Sequence, residues 1–539
     1  MKLVTADQMR ALEQRADASG NSYARMMERA GKAVADAIAE RVAIRDATVL
    51  VLVGPGNNGG DGLVCARYLH DAGARVALYV WKRADNPNDK NARLCHERNI
   101  AITRAENDDD FAALRKLVDE SNVIVDALLG TGVTRPIEGE LKDLLTTVKQ
   151  QLARYRANAL TTLVPSPLAS RHPSFVIAVD LPSGLNPDNG ALDPATLAAD
   201  LTVTFAFPKI GQLAFPGANT VGELVIADIG IPAEWADTNP RDVTTAREIA
   251  AMLPTRARNS HKGTFGKAML CVGSANYVGA AFLAGSAATR AGAGLVTLAL
   301  ARTIYPMLAS ALHETTFVVL PDDAGALVPD AVSVLGNHLA DYDALLIGCG
   351  FGRDAKTIAF VQTLLDQFRP SPLAPGLSLV IDADALYALA QTGEWWMRLV
   401  PNAAILTPHP GEMAMLTGLP RADVQADRVN IAKKFAAQWQ QVVVLKGAFT
   451  IIASPDGRAT MLPFATPALA TAGTGDVLAG TIVAMLAQKL APYKAAIAGA
   501  YLHGLAGEIA EREIGNAGVV AGDLLARLPI AIKQVMRDM

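Results

Sequence analysis

The chain has few of the residues that metal-binding, secreted or nucleic-acid-binding proteins rely on. Its 539 residues include only four cysteines, and no two of them form a Cys-x-x-Cys pair. Neither a disulfide framework nor a cysteine-based zinc site is therefore expected. The formal net charge is only −4, so no large basic surface is available to nucleic acid. These features predict a protein with reduced, buried thiols that does not bind nucleic acid.

Long hydrophobic runs are also missing. The longest uncharged stretch, 268–289, contains Asn276, Tyr277, three glycines and two serines, and is too polar for a membrane-spanning helix. The first residues carry no apolar segment of the kind found in secretory signals. We therefore expect a cytoplasmic protein that does not enter a membrane.

The length predicts at least two domains, because one hydrophobic core does not serve 539 residues. Short apolar runs alternate with helical patterns, which predicts α/β domains with parallel sheets and helices on both faces. We expect a first domain at 1–232, a linker at 233–258 and a second domain at 259–539. A proline-containing insertion is expected at 148–174.

The predicted elements are as follows. Strands are expected at 48–53, 75–80, 123–129, 175–179, 201–205 and 224–226 in the first half, and at 268–272, 295–300, 344–347, 377–381, 404–406 and 442–446 in the second. Helices are expected at 5–40, 63–72, 475–487, 494–510 and 517–536.

Two glycine-rich loops of different design precede helical patterns, at 54–62 and 471–476. Exposed N–H groups at a helix N-terminus form an anion site, typically for phosphate. The first loop satisfies G-x-G-x-x-G, but the second strand is not followed by an acidic ribose ligand, which argues against a standard dinucleotide site. The second loop lacks the Gly-Lys-Ser/Thr of a P-loop, and Asp476 is also a good helix cap. Two dissimilar loops suggest two separate nucleotide sites.

Three loops of the first half follow predicted strands, at 54–62, 130–136 and 180–184, and should meet at one edge of a parallel sheet. Asn58, Asp126 and Ser183 offer hard oxygen atoms there, which suit a monovalent cation better than zinc. Each of the three also has an ordinary structural role, as a turn residue, a helix cap or a loop hydrogen bonder.

Together these loops resemble the YjeF N-terminal domain, the NAD(P)HX epimerase with a Rossmann-like fold, over about residues 1–232. The resemblance implies that Asn58, Asp126 and Ser183 hold K⁺ and that Asp180 is catalytic, with Asp61 as the alternative. The residues implied to contact the hydrated nucleotide are Asn57, Asn58, Gly59, Gly60, Asp61, Gly130, Thr131, Gly132, Val133, Thr134, Arg135, Pro136 and Asp180.

The strand-end loops of the second half, at 348–352, 407–412, 446–450 and 471–476, resemble those of the ADP-dependent NAD(P)HX dehydratase, a ribokinase-like enzyme. The similarity covers roughly 245–535. It implies that Asp476 is catalytic and that Mg²⁺ accompanies ADP as co-substrate. The residues implied to bind ADP or AMP are Lys446, Gly447, Ala448, Phe449, Thr450 and Gly475. Those implied to contact the hydrate are Ala268, Gly350, His409 and Asp476.

The two resemblances favour a bifunctional repair enzyme for hydrated NAD(P)H, acting as a homo-oligomer. The main alternative is a vitamin or sugar kinase with a regulatory nucleotide-binding domain, which the second loop fits equally well. A third reading makes the first domain a non-catalytic sensor. The acidic groups at 61, 126, 180 and 476 argue against that reading.

Overall fold

The chain divides into two compact units, Met1–Arg241 and Asp242–Met539. The computed structural model describes residues 1–132, 135–157, 174–237, 241–367 and 376–537. The predicted linker, 233–258, contains the boundary between the units. Most of the predicted insertion, 158–173, lies outside the described residues, while its first part is helical.

The first unit contains a seven-stranded sheet. Its strands are β1 (Thr48–Val53), β2 (Arg75–Val80), β3 (Ala101–Arg104), β4 (Val123–Ala127), β5 (Phe175–Val179), β6 (Leu201–Phe205) and β7 (Glu223–Ala227). Its helices are α1 (Ala6–Ala18), α2 (Tyr23–Ala39), α3 (Asn57–Asp71), α4 (Lys90–Glu97), α5 (Ala112–Glu120) and α6 (Gly139–Ala157). The strand order is β3-β2-β1-β4-β5-β6-β7, and every neighbouring pair is parallel. The chain order therefore reverses between β1 and β4, where ligands of such sheets bind.

Alternate residues of β1 enter two different cores. Val49 and Val51 belong to a cluster with side chains of α1, α2 and α3. Leu50 and Leu52 belong to a second cluster that includes Leu114 of α5 and side chains of α6. Helices thus cover both faces of a parallel sheet, which confirms the three-layer α/β fold predicted for this half.

The second unit contains a ten-stranded sheet and a small hairpin. Its strands are β8 (Asp242–Val243), β9 (Lys267–Cys271), β10 (Leu295–Ala301), β11 (Thr316–Leu320), β12 (Asp322–Asp323), β13 (Ala326–Leu327), β14 (Ala344–Ile347), β15 (Ser378–Ile381), β16 (Ala404–Leu406), β17 (Val442–Leu445), β18 (Ile451–Ala453) and β19 (Ala459–Met461). Its helices are α7 (Ala246–Met252), α8 (Val278–Arg290), α9 (Tyr305–Ala309), α10 (Ala331–Leu339), α11 (Ala355–Gln367), α12 (Ala383–Ala390), α13 (Pro410–Thr417), α14 (Arg421–Ala426), α15 (Arg428–Trp439), α16 (Thr474–Ala487), α17 (Pro492–Ile514) and α18 (Ala521–Arg537).

The order of the large sheet is β11-β10-β9-β14-β15-β16-β17-β18-β19-β8. In this sheet, the neighbouring strands β11, β10, β9, β14, β15, β16 and β17 are all parallel. Strand β18 is antiparallel to both of its neighbours, β17 and β19. The chain order again reverses beside the first strand, between β9 and β14. The parallel α/β architecture predicted for the second half is therefore also confirmed.

Small residues let the central helix α16 pack closely. From Val477 to Ala487 every residue of this helix is buried. A Cβ atom on Gly480 would lie 2.2 Å from the backbone oxygen of Ala284 in α8, far inside van der Waals contact. The high alanine and glycine content therefore has a structural reason, because bulkier residues would separate these two helices.

Most predicted strands agree with the structure to within two residues, but the single helix predicted at 5–40 is wrong. Gly20 has a φ of +93° and follows the end of α1, so the helix does not continue. Ser22 then caps α2, because its side chain accepts from the N–H of Arg25. The apolar pattern continues through this turn because both helices pack on the same core. Strand β3 was missed because it is an exposed edge strand without an apolar run.

In the part of the chain that the structure describes, no helix is both long and apolar enough to span a membrane.

We expect Gly480→Ala to lower the free energy of unfolding of the second unit by about 1–3 kcal/mol, since the new methyl group overpacks the α8–α16 contact. Urea unfolding of the full chain measures this change. Gly522→Ala is the matched control, because a Cβ on this α18 glycine meets no atom within 4 Å. Equal unfolding midpoints for the two variants would contradict the packing argument.

Candidate active sites

The first candidate site lies where β1 and β4 end. Helix α3 begins four residues after the end of β1, and its start is pressed against the loop that follows β4. A Cβ on Gly54 would lie 1.8 Å from the oxygen of Leu128, and one on Gly59 would lie 2.0 Å from the oxygen of Gly54. Glycine at 54 therefore allows a close approach to the loop after β4, and glycine at 59 allows the first turn of α3 to pack against Gly54.

Asn58, Asp126 and Ser183 are buried and linked at this edge. Asp126 accepts from the hydroxyl of Ser183 at 2.7 Å and from its N–H at 2.8 Å. Ser183 Oγ accepts from the N–H of Leu129 at 2.9 Å, while Asn58 Nδ2 donates to the oxygen of Leu129 at 2.9 Å. The structure thus brings together the three residues predicted to hold a cation. Burial raises the pKa of Asp126, and its hydrogen bonds with Ser183 and Leu128 oppose that shift.

The donor set suits a hard monovalent cation. It consists of a carboxylate, an amide and a hydroxyl, and the Asn58 amide directs its nitrogen at Leu129, which leaves its oxygen to accept. Across the described ranges, no group of three or more His, Cys, Asp or Glu residues could hold a metal ion. Oxygen donors of this kind fit K⁺ and do not fit zinc.

Asp180 follows β5 and has a φ of +62°, a strained conformation for a residue with a side chain. Its Oδ1 accepts from Lys209 Nζ at 2.5 Å, from Thr204 Oγ1 at 2.9 Å and from the N–H of Phe205 at 3.2 Å. Its carbonyl accepts from Gln212 Nε2 at 2.8 Å. The end of β6 and the residues after it therefore fix both the backbone and the side chain of Asp180.

Two further carboxyl groups interact with Asp180. Burial raises the pKa of Asp61 well above its usual value, and the charges of Asp180 and Glu13 raise it further. Burial also raises the pKa of Glu13 on α1, with Asp180 again contributing. Lys209 favours ionisation of both groups. The first site is thus a cluster of three carboxyl groups around one buried ammonium.

Sequence reasoning missed Lys209 and Glu13. Lys209 lies four residues after β6, so the rule that functional groups follow parallel strands could have found it. No such signal marks Glu13, which reaches the site from α1. The remaining predicted substrate contacts differ in exposure: Asn57, Gly132, Arg135 and Pro136 are exposed, Gly130 and Thr131 are partly buried, and Gly59 and Gly60 are buried. Val133 and Thr134 lie outside the described residues.

The second candidate site is built around the start of α16. Gly473 adopts a φ of +89° as the residue before the helix, and Asp476 stands in the first turn, half-buried. The buried His503 of α17 lies 2.9 Å, at Nε2, from the carbonyl oxygen of Thr474. Burial lowers the pKa of His503 to about 4, so the neutral ring donates this hydrogen bond and holds the helix start.

A partly buried lysine near the start of α16 contacts carboxylates at two other strand ends. Lys446 directly follows β17, and its Nζ lies 2.7 Å from Asp382 Oδ1 and 3.7 Å from Glu412 Oε2. Burial would lower the pKa of Lys446, but these carboxylates together raise it. The pKa of Asp476 is raised to about 6 by burial and then by the charge of Asp382, against opposing contributions from Cys349 and Lys446. Asp476 is thus a carboxyl group that titrates near neutral pH.

An arginine that sequence reasoning missed donates hydrogen bonds to the backbone of the loop 446–450. Arg428 donates to the carbonyls of Ala448, Leu445 and Lys446 at 2.5, 3.0 and 3.2 Å. A Cβ on Gly475 would lie 3.8 Å from Lys446 Nζ, so this loop and the start of α16 are neighbours. The structure thereby brings together most of the residues predicted to bind ADP.

The residues predicted to contact the hydrate divide into two groups. His409 caps α13, accepting at Nδ1 from the N–H groups of Gly411 and Glu412, while its side chain remains exposed. Gly350 has a φ of +65° and follows β14 at the same edge of the sheet. Ala268, by contrast, is fully buried near the opposite, amino-terminal end of β9. The structure therefore does not bring Ala268 together with Asp476.

An open, polar cavity of about 680 Å³ lies beyond the ends of β9 and β14. Its lining includes Tyr277, Asp323, Arg353 and Asp384. Asp384 belongs to the Asp382–Asp384 segment after β15, which carries two carboxylates at a strand end. Because functional groups tend to follow the carboxyl ends of parallel strands, this segment could have been identified from the sequence.

Comparisons with known proteins cover both units of the chain. A family model described as the YjeF-related protein N-terminus matches residues 23–211, and one described as NAD(P)H-hydrate dehydratase matches residues 268–529. The bifunctional NAD(P)H-hydrate repair enzyme Nnr of Moorella thermoacetica is 38% identical, covering 100% of this chain and 98% of that protein. The chain belongs to the bifunctional NAD(P)H-hydrate repair enzyme family.

A second full-length relative and one solved structure of a dehydratase are also similar to this chain. The bifunctional NAD(P)H-hydrate repair enzyme Nnr of Escherichia coli is 32% identical over 99% of this chain and 94% of its own length. A solved structure of the ADP/ATP-dependent NAD(P)H-hydrate dehydratase from Bacillus subtilis is 34% identical, covers 55% of this chain and 99% of its own, and aligns with a TM-score of 0.46.

Proposed function

We propose that this chain repairs hydrated NAD(P)H in two steps, one in each unit. The first unit interconverts the R and S epimers of NAD(P)HX, and the second dehydrates the S epimer to NAD(P)H, consuming ADP and giving AMP and phosphate. The observation that carries the proposal is the presence of two separate strand-end sites in a chain that matches repair enzymes over its whole length. The kinase alternative does not account for the clustered carboxyl groups of the first unit.

In the first unit, epimerisation requires the C6–O bond of the hydrate to break and to form again on the other face. Asp180 is the proposed proton carrier, and Asp61 is a second carboxyl group beside it. The helix start at 57–61 and the loop at 130–136 are proposed to hold the nucleotide, because the first N–H groups of a helix point out of its end and form an anion site. Asn58, Asp126 and Ser183 are proposed to hold K⁺, which when bound would supply positive charge next to the substrate.

In the second unit, Asp476 is proposed to take the proton of the C6 hydroxyl as that oxygen attacks the β-phosphate of ADP. The bond between the β-phosphorus and the bridging oxygen breaks, and AMP leaves. The C6 phosphate ester then loses inorganic phosphate from C6 and a proton from C5, which forms the C5=C6 bond and restores the dihydropyridine ring. Lys446, the loop 447–450 and Gly475 are proposed to hold the adenine nucleotide. Gly350 and His409 are proposed to contact the hydrate, and the buried Ala268 is left out of the site.

Mg²⁺ is proposed to accompany ADP and would supply charge neutralisation at the phosphates. The homo-oligomer and the cytoplasmic location stay predictions.

Asp476→Ala should lower the dehydration rate by about 10²–10⁴-fold, because it removes the general base. Incubation of the full chain with R,S-NADHX and ADP measures this as the return of NADH absorbance. Chromatography of the two epimers provides the control, since their interconversion by the first unit should persist. Loss of both activities would contradict two independent sites.

The dehydration rate should fall as the pH decreases through about 6. Asp476, with a pKa raised to about 6, must be ionised to accept the proton, so its active form is lost below that pH. A pH–rate profile with pure S-NADHX and saturating ADP isolates this step from epimerisation. A rate that stays constant down to pH 5 would remove Asp476 as the base.

Asp180→Asn should abolish epimerisation and leave dehydration of S-NADHX intact. With R,S-NADHX and ADP, the variant is expected to convert only the S epimer to NADH. The rate at which the epimers interconvert without enzyme is measured separately and subtracted. Complete recovery at the wild-type rate would exclude Asp180 from the mechanism.

A further inference from the structure

Lys209 is fully buried in the first unit and has no role in the chemistry described above. Its Nζ donates to Asp180 Oδ1 at 2.5 Å, to Thr204 Oγ1 at 2.9 Å and to the oxygen of Phe205 at 3.3 Å. The three hydrogens of the ammonium group thus have three acceptors. Lysine is almost never buried completely without a partner. The position of Lys209 is therefore determined by Asp180 and the end of β6.

The contacts of Lys209 and Thr204 make the two carboxylate oxygens of Asp180 unequal. Oδ1 accepts from Lys209, from the hydroxyl of Thr204 and from the N–H of Phe205. Among the described residues, no donor forms a hydrogen bond with Oδ2. This atom also retains some access to solvent, since it does not belong to the fully buried polar atoms that lack a partner. One oxygen is anchored on three donors, and the other is left for a ligand at the strand ends.

The same short segment also fixes the backbone of Asp180. Gln212 Nε2 donates to the carbonyl of Asp180 at 2.8 Å, and Gln212 Oε1 accepts from the N–H of Lys209 at 2.7 Å. Asp180 is held at a φ of +62°, which costs energy unless the surroundings impose it. These contacts point to a carboxylate held in one orientation.

The electrostatic surroundings of Asp180 make a cation necessary. Asp61 of α3 and Glu13 of α1 both interact with Asp180, and Lys209 is the cation in contact with it among the described residues. A carboxylate that forms among other carboxyl groups in a buried site is unfavourable unless a positive charge balances it. Lys209 supplies that charge at contact distance.

We propose that Lys209 and Thr204 are positioning residues of the epimerase: they anchor Oδ1 of Asp180, so that Oδ2 is the atom that exchanges the proton with the substrate hydroxyl. The inference rests on the proposed function, because it takes Asp180 as the group that touches the hydrate. In the first half-reaction Oδ2 gives a proton to the C6 hydroxyl, the C6–O bond breaks to release water, and the N1 lone pair forms a C6=N1 bond. In the second, water adds to the other face of C6 and returns a proton to Oδ2.

The role of Lys209 follows from this proton balance. Asp180 is necessarily anionic while the C6=N1 bond exists, and the ammonium of Lys209 stabilises it at that stage. The benefit is therefore larger in the reacting state than in the bound substrate. A residue of this kind changes kcat and leaves KM nearly unaltered.

Two threonines of β6 provide a matched pair of variants. Thr202 and Thr204 are both fully buried and lie two residues apart, so their side chains are on the same face of the strand. The hydroxyl of Thr204 donates to Asp180, whereas that of Thr202 donates to the carbonyl of Val221 at 2.6 Å. Thr204→Val and Thr202→Val remove the same group with nearly the same burial, and only the first touches Asp180.

The test is the epimerisation of purified R-NADHX by the full chain, with dehydration of S-NADHX as an internal control of folding in the second unit. We expect Thr204→Val to lower kcat for epimerisation by about 10- to 100-fold with KM changed less than about 2-fold, the loss typical of a hydrogen bond to a charged group. Thr202→Val is expected to stay within about 2-fold of the wild type. Lys209→Met should lower kcat by about 100-fold or more.

Thermal unfolding shows whether each variant is folded, and the threonine pair decides the question even if Lys209→Met is not. Equal losses in Thr202→Val and Thr204→Val, or an unchanged kcat in Thr204→Val while Asp180→Asn is inactive, would overturn the positioning role. Retained epimerisation in Asp180→Asn would instead refute the assignment of Asp180 in the proposed function, and this inference with it.

Discussion

A lysine paired with an aspartate at the end of a parallel strand stands at the centre of each candidate site, fully buried in the first site and partly buried in the second. Lys209 contacts Asp180 after β5, and Lys446 contacts Asp382 after β15, at 2.5 and 2.7 Å. Each pair is surrounded by further carboxyl groups that would repel one another without the ammonium. Breaking such a pair by removing one partner typically costs about 3–5 kcal/mol, because it leaves an uncompensated buried charge.

The two pairs have a similar effect on a neighbouring carboxyl group. Asp61 lies near Asp180 and Asp476 lies near Asp382, and in both cases burial and the nearby aspartate raise the pKa of the neighbour. Each site thus contains one aspartate in contact with a lysine and a second carboxyl group whose pKa is raised. Carboxyl groups with different proton affinities are what acid–base chemistry on a hydroxyl group needs. The two units reach this arrangement on separate sheets and with different loops.

Much of this organisation could be predicted from the sequence. Parallel strands buried on both faces are continuous apolar runs, so β1, β2 and β5 were located to the residue. Glycine-rich loops mark the places where a helix start must approach a neighbouring strand, and they led directly to Asn58, Asp61 and Asp476. The edge strand β3 and the break between α1 and α2 were missed, because exposure and a shared core remove the local pattern.

The sequence by itself determined the two α/β units, the loops at their strand ends and the aspartates that those loops carry. These are local properties, since hydrophobic periodicity, glycine and loop chemistry act over a few residues. Only the tertiary structure decided which groups meet there: Lys209 contacts Asp180, Lys446 contacts Asp382, and Ala268 lies at the opposite end of its strand from the second site. The physical reason is that charge pairing in a buried site depends on distance in space, and the partners come from different strands and helices whose meeting is fixed by sheet order.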